Sequence, residues 1–269
     1  MEQTLAFIGG GNMASAVIGG LVASGRNGAS ILVVEPFEAQ RVWLRSVHGV
    51  NAIAAADASL ARAALVVWAV KPQMFRHAAA PCSPHVASAL QLSLMAGIRS
   101  DAIVAAVGTE RVVRAMPNTP ALIGQGIAGL YARSAVTPED RALVEQVLAP
   151  TGQTLWVARE ADLDAVTALS GSGPAYVFYF IEAMTEAATG MGLSAEQARQ
   201  LAFATFAGAT ELARRSSDPL ELLRERVTSK GGTTHAALTV LESAGVKAVF
   251  VEALRAAQRR ARELGDEFG

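Results

Sequence analysis

One cysteine, Cys82, is all that the sequence contains. A lone thiol cannot close an internal disulfide, which excludes a disulfide-stapled scaffold. Cys82 lies between Pro81 and Ser83 with no base near it in sequence, so it reads as filler rather than as a nucleophile. An excess of positive charge is missing too. Lys and Arg number 23 against 24 Asp and Glu, a formal net charge of −1, which leaves no electrostatic footprint for nucleic acid. Long unbroken apolar runs are absent. The stretch from Ala78 to Ile98 has no Asp, Glu, Lys or Arg, but Pro81, Ser83, Pro84 and Gln91 spoil it as a membrane helix. No secretory leader is read at the start, where Glu2 is acidic and the next apolar stretch breaks at three glycines. The expected location is cytoplasmic. The four histidines, His48, His77, His85 and His235, lack metal-ligand spacing, so no metal is expected.

What is present is a chain of 269 residues, 51% hydrophobic and 17% charged, enough for one large or two ordinary folded domains. Its N-terminal half alternates strand and helix. Leu5 to Ile8 is a short apolar run closed by Gly9-Gly10-Gly11. A small-residue helix follows from Met13 to Ala23, then a strand over Ile31 to Val34 ending in Glu35-Pro36, and a polar helix around Ala39 to Val47. Leu65 to Val70 is a third strand, stopped by Lys71-Pro72, and Leu90 to Met95 and Arg111 to Ala115 read as two more. Such alternation predicts a parallel sheet covered by helices on both faces, a Rossmann-type α/β domain over 1–160.

Near Ala161 the pattern changes to helical periodicity with cap signals, which predicts an all-α domain over 161–269. Pro174 suits a first helical turn, with Val177, Phe178, Ile181 and Met184 at helical spacing and Gly190 and Gly192 closing it. Ser194 and Gln197 form a capping box. Asp218-Pro219 opens another helix, Thr234 begins the next, and a last one runs from about Val246 to Leu264. Its cluster of Arg255, Arg259, Arg260 and Arg262 reads as a solvated face.

Gly9-x-Gly11-x-x-Ala14 stands between a strand and a helix, the context in which this spacing binds a dinucleotide. Gly9 permits the sharp turn, Gly11 lets the backbone approach a pyrophosphate, and Ala14 lets helix and strand pack closely. The free amides and positive end of the helix then hold the anion. Glu35 ends the second strand, 24 residues after Gly11. An acid there either binds the adenosine ribose and disfavours a 2′-phosphate or is simply a solvated strand end. No Arg or Lys lies between Glu35 and Arg41 to welcome a phosphate.

A second glycine segment, Val227 to Thr234, joins two helices. Two glycines followed by two threonines at a helix start expose amides that suit a carboxylate, although a ligand-free cap turn has the same look. Ser170-Gly171-Ser172-Gly173-Pro174-Ala175-Tyr176 is a third segment, a hinge, a packing contact or a site wall. Ala115 to Pro120 follows a strand at the carboxyl edge of the sheet, where ligands of open sheets bind.

Together these segments resemble the pyrroline-5-carboxylate reductase family. The matches are Phe7 to Met13, Ala69-Val70-Lys71-Pro72, Met116 to Pro120, Ser170 to Tyr176 and Thr228 to Leu238. They run in family order over nearly the whole chain. The first is shared by many reductases, and the last two are specific to this family. Lys230 stands where many members carry proline, which leaves that turn less rigid.

The resemblance implies reduction of the cyclic imine of 1-pyrroline-5-carboxylate to L-proline, the last step of proline synthesis. The hydride donor is NADP(H) by family habit, with NAD(H) also admitted by Glu35. It implies Thr234 as the catalytic hydroxyl at the imine nitrogen, with backbone amides of Gly232, Thr233 and Thr234 on the substrate carboxylate. Ser229, Gly231, Ser172 and Gly173 complete the substrate site. For the cofactor it implies Ile8, Gly9, Gly10, Gly11, Asn12, Met13 and Glu35. To these it adds Ala69, Val70, Lys71, Pro72, Met95, Ala96, Pro117 and Asn118 at the other strand ends. It further implies that the helical domain pairs two chains into a homodimer, with the site between one chain's Rossmann domain and the paired helices, and that dimers can assemble into rings up to a decamer. A protonated imine is already electrophilic, so a site of Gly, Ser and Thr without a His–Asp pair suits the reaction. His235 reads as a helix-surface residue beside the turn.

Two other functions fit the layout less well. A reductase of hydroxy or keto acids needs a general acid, typically Lys or His, and has no use for the double-glycine Thr-Thr turn. A redox-reporting nucleotide sensor would bind the cofactor without turning over an imine.

Overall fold

The computed structural model of the chain describes Glu2 to Phe268. Two compact units emerge: Met1–Ser172 with Ala257–Gly269, and Gly173–Ala256. The end of the chain thus belongs with the first unit.

The first unit is an eight-stranded sheet ordered β3-β2-β1-β4-β5-β6-β7-β8. The strands are β1 (Thr4–Ile8), β2 (Ile31–Val34), β3 (Asn51–Ile53), β4 (Ala63–Trp68), β5 (Leu90–Ser93), β6 (Val112–Met116), β7 (Gly126–Ala132) and β8 (Gly152–Trp156). All neighbours pair in parallel except β6 and β7. Helices α1 (Asn12–Ala23), α2 (Glu38–His48), α3 (Phe75–Val86), α4 (Ser100–Val107) and α5 (Pro138–Leu148) lie between strands, and α6 (Asp162–Val166) follows β8. Strands β1, β2 and β4 are almost wholly apolar because both faces are covered, while β5 and β6 also bury Gln91, Ser93 and Arg114. Leu5 and Phe7 enter one core cluster, and Ala6 and Ile8 enter the other. Leu5, Phe7 and Ile8 each contribute roughly 1.5–3 kcal/mol by leaving water.

The strand order reverses beside β1. The chain goes out to β2 and β3, then returns to lay β4 on the other side of β1. That reversal opens a crevice at the carboxyl ends of β1 and β4, the place where ligands of such sheets bind. Cys82 is 1% exposed inside α3, and burial pushes its thiol up to about 11, so it stays protonated and inert.

The second unit holds α7 (Gly173–Gly190), α8 (Ala195–Arg215), α9 (Leu220–Arg226), α10 (Thr233–Ser243) and the first part of α11 (Val246–Phe268). The capping box of Ser194 and Gln197 forms as the sequence predicts. Tyr176 and Phe180 both pack edge-on against Phe250. Yet α7 buries no residue, and Phe178, Tyr179, Leu201 and Phe203 are exposed. An apolar surface of this extent on one chain marks a protein interface. The arginines of α11 pair largely along their own helix, Arg260 with Glu263 at 3.0 Å and Glu267 at 2.8 Å. No helix among the described residues is long and apolar enough to cross a membrane.

Candidate active site

The first cluster of expected residues sits on the carboxyl edge of the sheet. The parallel ladder runs past the strand ends, Gly9 N–H donating to the Val34 carbonyl and Ala69 N–H to the Ile8 carbonyl, each at 2.9 Å. This brings the ends of β1, β2 and β4 together. Gly9 has φ 95°, and a Cβ there would lie 2.8 Å from the Ala69 oxygen, so both its backbone angle and its neighbour demand glycine. Ile8 and Gly9 thus face Ala69 and Val70. Lys71 and Pro72 begin the short turn that follows β4, with Lys71 exposed.

Gly11 is the N-cap of α1 and places no side chain on the first-turn amides, those of Asn12 and Met13. A Cβ at Gly11 would meet nothing within 4 Å. The open cradle and the uncapped positive helix end fit a dinucleotide pyrophosphate. Ala14 is fully buried in the core, as the spacing predicts.

Glu35 is not a solvated strand end. It is 6% exposed, and its carboxylate turns inward to accept the Gly10 and Phe37 amides, each at 2.9 Å. It therefore fixes the shape of the glycine loop. Three residues passed over in the sequence reading join it. Ser15 Oγ and Gln40 Nε2 donate to the Gly10 carbonyl at 3.1 and 2.6 Å. Arg41 folds back from α2, donating to the carbonyls of Glu35 at 2.9 Å and Pro36 at 2.6 Å. A cation thus stands at the end of β2 although none follows Glu35 closely in sequence.

Met95 and Ala96 follow β5. Met95 is buried and Ala96 exposed at the sheet edge. Pro117 and Asn118 follow β6. The Asn118 side-chain oxygen accepts the Ile127 amide at 3.0 Å, which leaves its NH2 group for another acceptor. Behind this edge, Glu160 accepts bonds from Ser100 N–H and Oγ, both at 2.6 Å, and from Arg114 at 2.8 Å. Burial raises the Glu160 carboxyl, but the bonds from Ser100 and Arg114 outweigh it and hold the group below its ordinary range.

Ser172 ends a wider, π-helical turn over Thr167–Gly171, its N–H donating to the Thr167 carbonyl at 2.8 Å. Such turns recur at functional sites. Gly173 opens α7, with Pro174 in its first turn.

The remaining residues lie in the second unit. Gly231 has φ 74°, and α10 begins at Thr233 with Gly232 as its N-cap. Two expectations change here. Thr234, expected to begin the helix, occupies its second position, and no side chain caps this helix. The Gly232 amide donates to the Ser229 carbonyl at 3.0 Å, so it is not open to a carboxylate. The first intrahelical bond is Ala236 N–H to the Gly232 carbonyl, which leaves the amides of Thr233, Thr234 and His235 in the unsatisfied first turn. Thr234 is half-buried, whereas the His235 side chain is exposed on the helix surface.

Comparison with known proteins agrees with this layout. Residues 160–264 match the family described as pyrroline-5-carboxylate reductase dimerisation, and residues 4–97 match NADP oxidoreductase, coenzyme F420-dependent. A pyrroline-5-carboxylate reductase of Pseudomonas aeruginosa is 41% identical over 268 residues, covering 98% of each chain. The structure of a pyrroline-5-carboxylate reductase from Coxiella burnetii superposes with a TM-score of 0.91 at 36% identity, over 97% of this chain and 98% of that one. The Plasmodium falciparum pyrroline carboxylate reductase with NADP bound gives 0.87 at 28% identity, over 98% of both. Similarity of this depth over the full length, on a fold with the same two parts, places the chain in the pyrroline-5-carboxylate reductase family.

Proposed function

We propose that this chain reduces the C=N bond of 1-pyrroline-5-carboxylate to give L-proline, the last step of proline biosynthesis. The observation that carries the reading is the presence of two open, uncapped helix starts in one chain. One, at α1, follows a dinucleotide turn, and the other, at α10, carries two hydroxyls. The first suits a pyrophosphate and the second a small carboxylate.

A bound NAD(P)H supplies the hydride, which adds to the imine carbon while the C=N π pair becomes the lone pair of the ring nitrogen. The chain's own work is orientation. Asn12 and Met13 amides hold the pyrophosphate, and Glu35 keeps the loop in shape. Ala69 to Pro72, Met95, Ala96, Pro117 and Asn118 line the crevice beside it. Amides of Thr233 and Thr234 hold the substrate carboxylate, and the Thr234 hydroxyl accepts the N–H of the protonated imine. Ser229, Gly231, Ser172 and Gly173 shape the walls. No side chain has to act as a strong acid, because the imine arrives already protonated.

Both nicotinamide cofactors are used in this reading. Glu35 favours an unphosphorylated ribose, while Arg41 at the same strand end offers a cation to a 2′-phosphate. The exposed face of α7 and α8 is covered by a second copy, giving a homodimer that can assemble further, up to a decamer. The assembled enzyme works in the cytoplasm. The test offers purified enzyme 1-pyrroline-5-carboxylate beside small 2-keto and 3-hydroxy acids, with NADH and NADPH. Turnover of the imine alone supports the reading, and turnover of an acid in its place refutes it.

A further inference from the structure

Helix α11 is continuous from Val246 to Phe268, and its last part, from Ala257, belongs to the sheet-bearing unit. Its final turns bed against the segment that follows β5, Leu94 to Arg99. The fit is reciprocal. Gly97 has φ 75°, and a Cβ there would lie 3.3 Å from the Leu264 carbonyl oxygen. Facing it, Gly265 is buried, and a Cβ there would lie 2.6 Å from the guanidinium of Arg99. The absent side chain of Gly265 is the space into which the Arg99 head group lies. From that position Arg99 donates to the Asp266 carboxylate at 3.0 Å and to the Arg262 carbonyl at 3.4 Å. Phe268 packs on the same core cluster as Met95 and Ile98.

The segment needs such a bed. It is not a strand or a helix, and its own backbone is tied by few bonds, among them Met95 N–H to Ser93 Oγ at 3.2 Å. Its far end is fixed where Ser100 meets Glu160. Between these anchors Ala96 projects at the carboxyl edge of the sheet, beside the crevice where the dinucleotide turn lies. Besides the burial of Met95 and Ile98 in the core and the Leu94 N–H bond to the Trp68 carbonyl, the segment around Ala96 is held by the Gly97 contact and the Arg99 bonds, both of them to the last turns of α11.

We propose that the C-terminal turns of α11 position the Met95–Ala96 segment for cofactor binding, with Arg99, Gly265 and Asp266 as positioning residues. This rests on the reading that Met95 and Ala96 face the dinucleotide. The contact adds nothing to the imine site, so its loss shows in cofactor affinity and not in substrate affinity. The size of the effect is bounded. Arg99 and Asp266 are 27% and 68% exposed, and a pair that open to water is worth at most a factor of about 5 in an equilibrium constant.

The experiment compares Arg99→Ala, Arg99→Lys, Gly265→Ala and Ala96→Val in the full-length enzyme. For each, the dissociation constant of NADPH is read from nucleotide fluorescence, both KM values and kcat from steady-state rates, and Tm from a melt. Arg99→Ala and Gly265→Ala are expected to weaken NADPH binding about 3- to 5-fold. The imine KM stays within twofold, and Arg99→Lys recovers most of the loss because its ammonium still reaches Asp266. Ala96→Val reports on the underlying reading and is expected to weaken NADPH directly. Weakened binding in Ala96→Val with unchanged binding in Arg99→Ala and Gly265→Ala overturns the positioning role and spares the placement of the segment. Unchanged binding in Ala96→Val overturns the placement and the proposal with it. A lower Tm in Arg99→Ala without any change in NADPH affinity makes the contact purely structural and also overturns the proposal.

Discussion

Replacing Thr234 separates chemistry from scaffolding more sharply than the sequence alone allows. A threonine next to a double glycine at a helix start has an obvious structural role as a cap, and losing a cap costs about 1 kcal/mol. The structure removes that role. The N-cap of α10 is Gly232, no side chain caps the helix, and Thr234 stands at its second position. Alanine is the better helix former by up to about 0.7 kcal/mol, so Thr234→Ala is expected to hold or slightly raise Tm. Catalysis responds differently. A hydrogen bond to a charged group is worth about 1.5–3 kcal/mol, and every 1.4 kcal/mol is a factor of ten. Because the bond orients the imine carbon toward the hydride, its loss falls mainly on kcat, roughly 10- to 100-fold. Thr234→Ser keeps the hydroxyl and stays active. NADPH affinity is unchanged in both variants, since the nucleotide turn lies in the other unit. The assay is steady-state oxidation of NADPH with 1-pyrroline-5-carboxylate, run beside a melt. An alanine variant with normal kcat removes Thr234 from the mechanism, whatever its Tm.

Three other outcomes follow from the same structure. Glu35→Ser deprives the Gly10 and Phe37 amides of their acceptor, so both cofactors should bind more weakly, NADH more than NADPH; a ratio of kcat/KM values for NADPH over NADH that does not rise means that Glu35 does not act at the ribose. The exposed apolar residues of α7 and α8 require a partner surface, so sedimentation should find a dimer or larger, and a folded, active monomer at micromolar concentration contradicts this. Glu160→Gln should cost roughly 1.5–3 kcal/mol near neutral pH by weakening the bonds to Ser100 and Arg114. The Glu160 carboxyl is held below its ordinary value of 4.5, so its contribution is full above that pH and fades as pH falls through the lower folded value. The variant's stability should accordingly decline less on acidification than the parent's, and parallel acid limbs in pH-dependent melts refute the assignment.

The parts of this molecule that a sequence reveals are those fixed by backbone need. Gly9 and Ala14 stand where a side chain would collide or would not fit, and their spacing declares the turn. Strands β1, β2 and β4 announce themselves because burial on both faces makes them almost wholly apolar. What stays hidden depends on partners distant in the chain. β3 has three residues, β7 carries Gly126 and Gly129, and β8 is a half-exposed edge, so none has the apolar run of a strand. The same holds in the site. The inward turn of Glu35 is decided by the amides of Gly10 and Phe37, and Arg41 reaches the end of β2 only because α2 folds it back. The boundary of the helical unit shows the effect at larger scale. The helical pattern begins near Ala161, but α6 and the end of α11 pack with the sheet, which no local periodicity reports.

The most direct test of the account follows the hydride itself. The enzyme is supplied with 1-pyrroline-5-carboxylate and NADPH deuterated at the transferred position, and the proline formed is read by NMR. One deuterium per proline is expected, on the ring carbon that was double-bonded to nitrogen, and on one face only. Cofactor binding without any labelled proline, or label at another carbon, contradicts it.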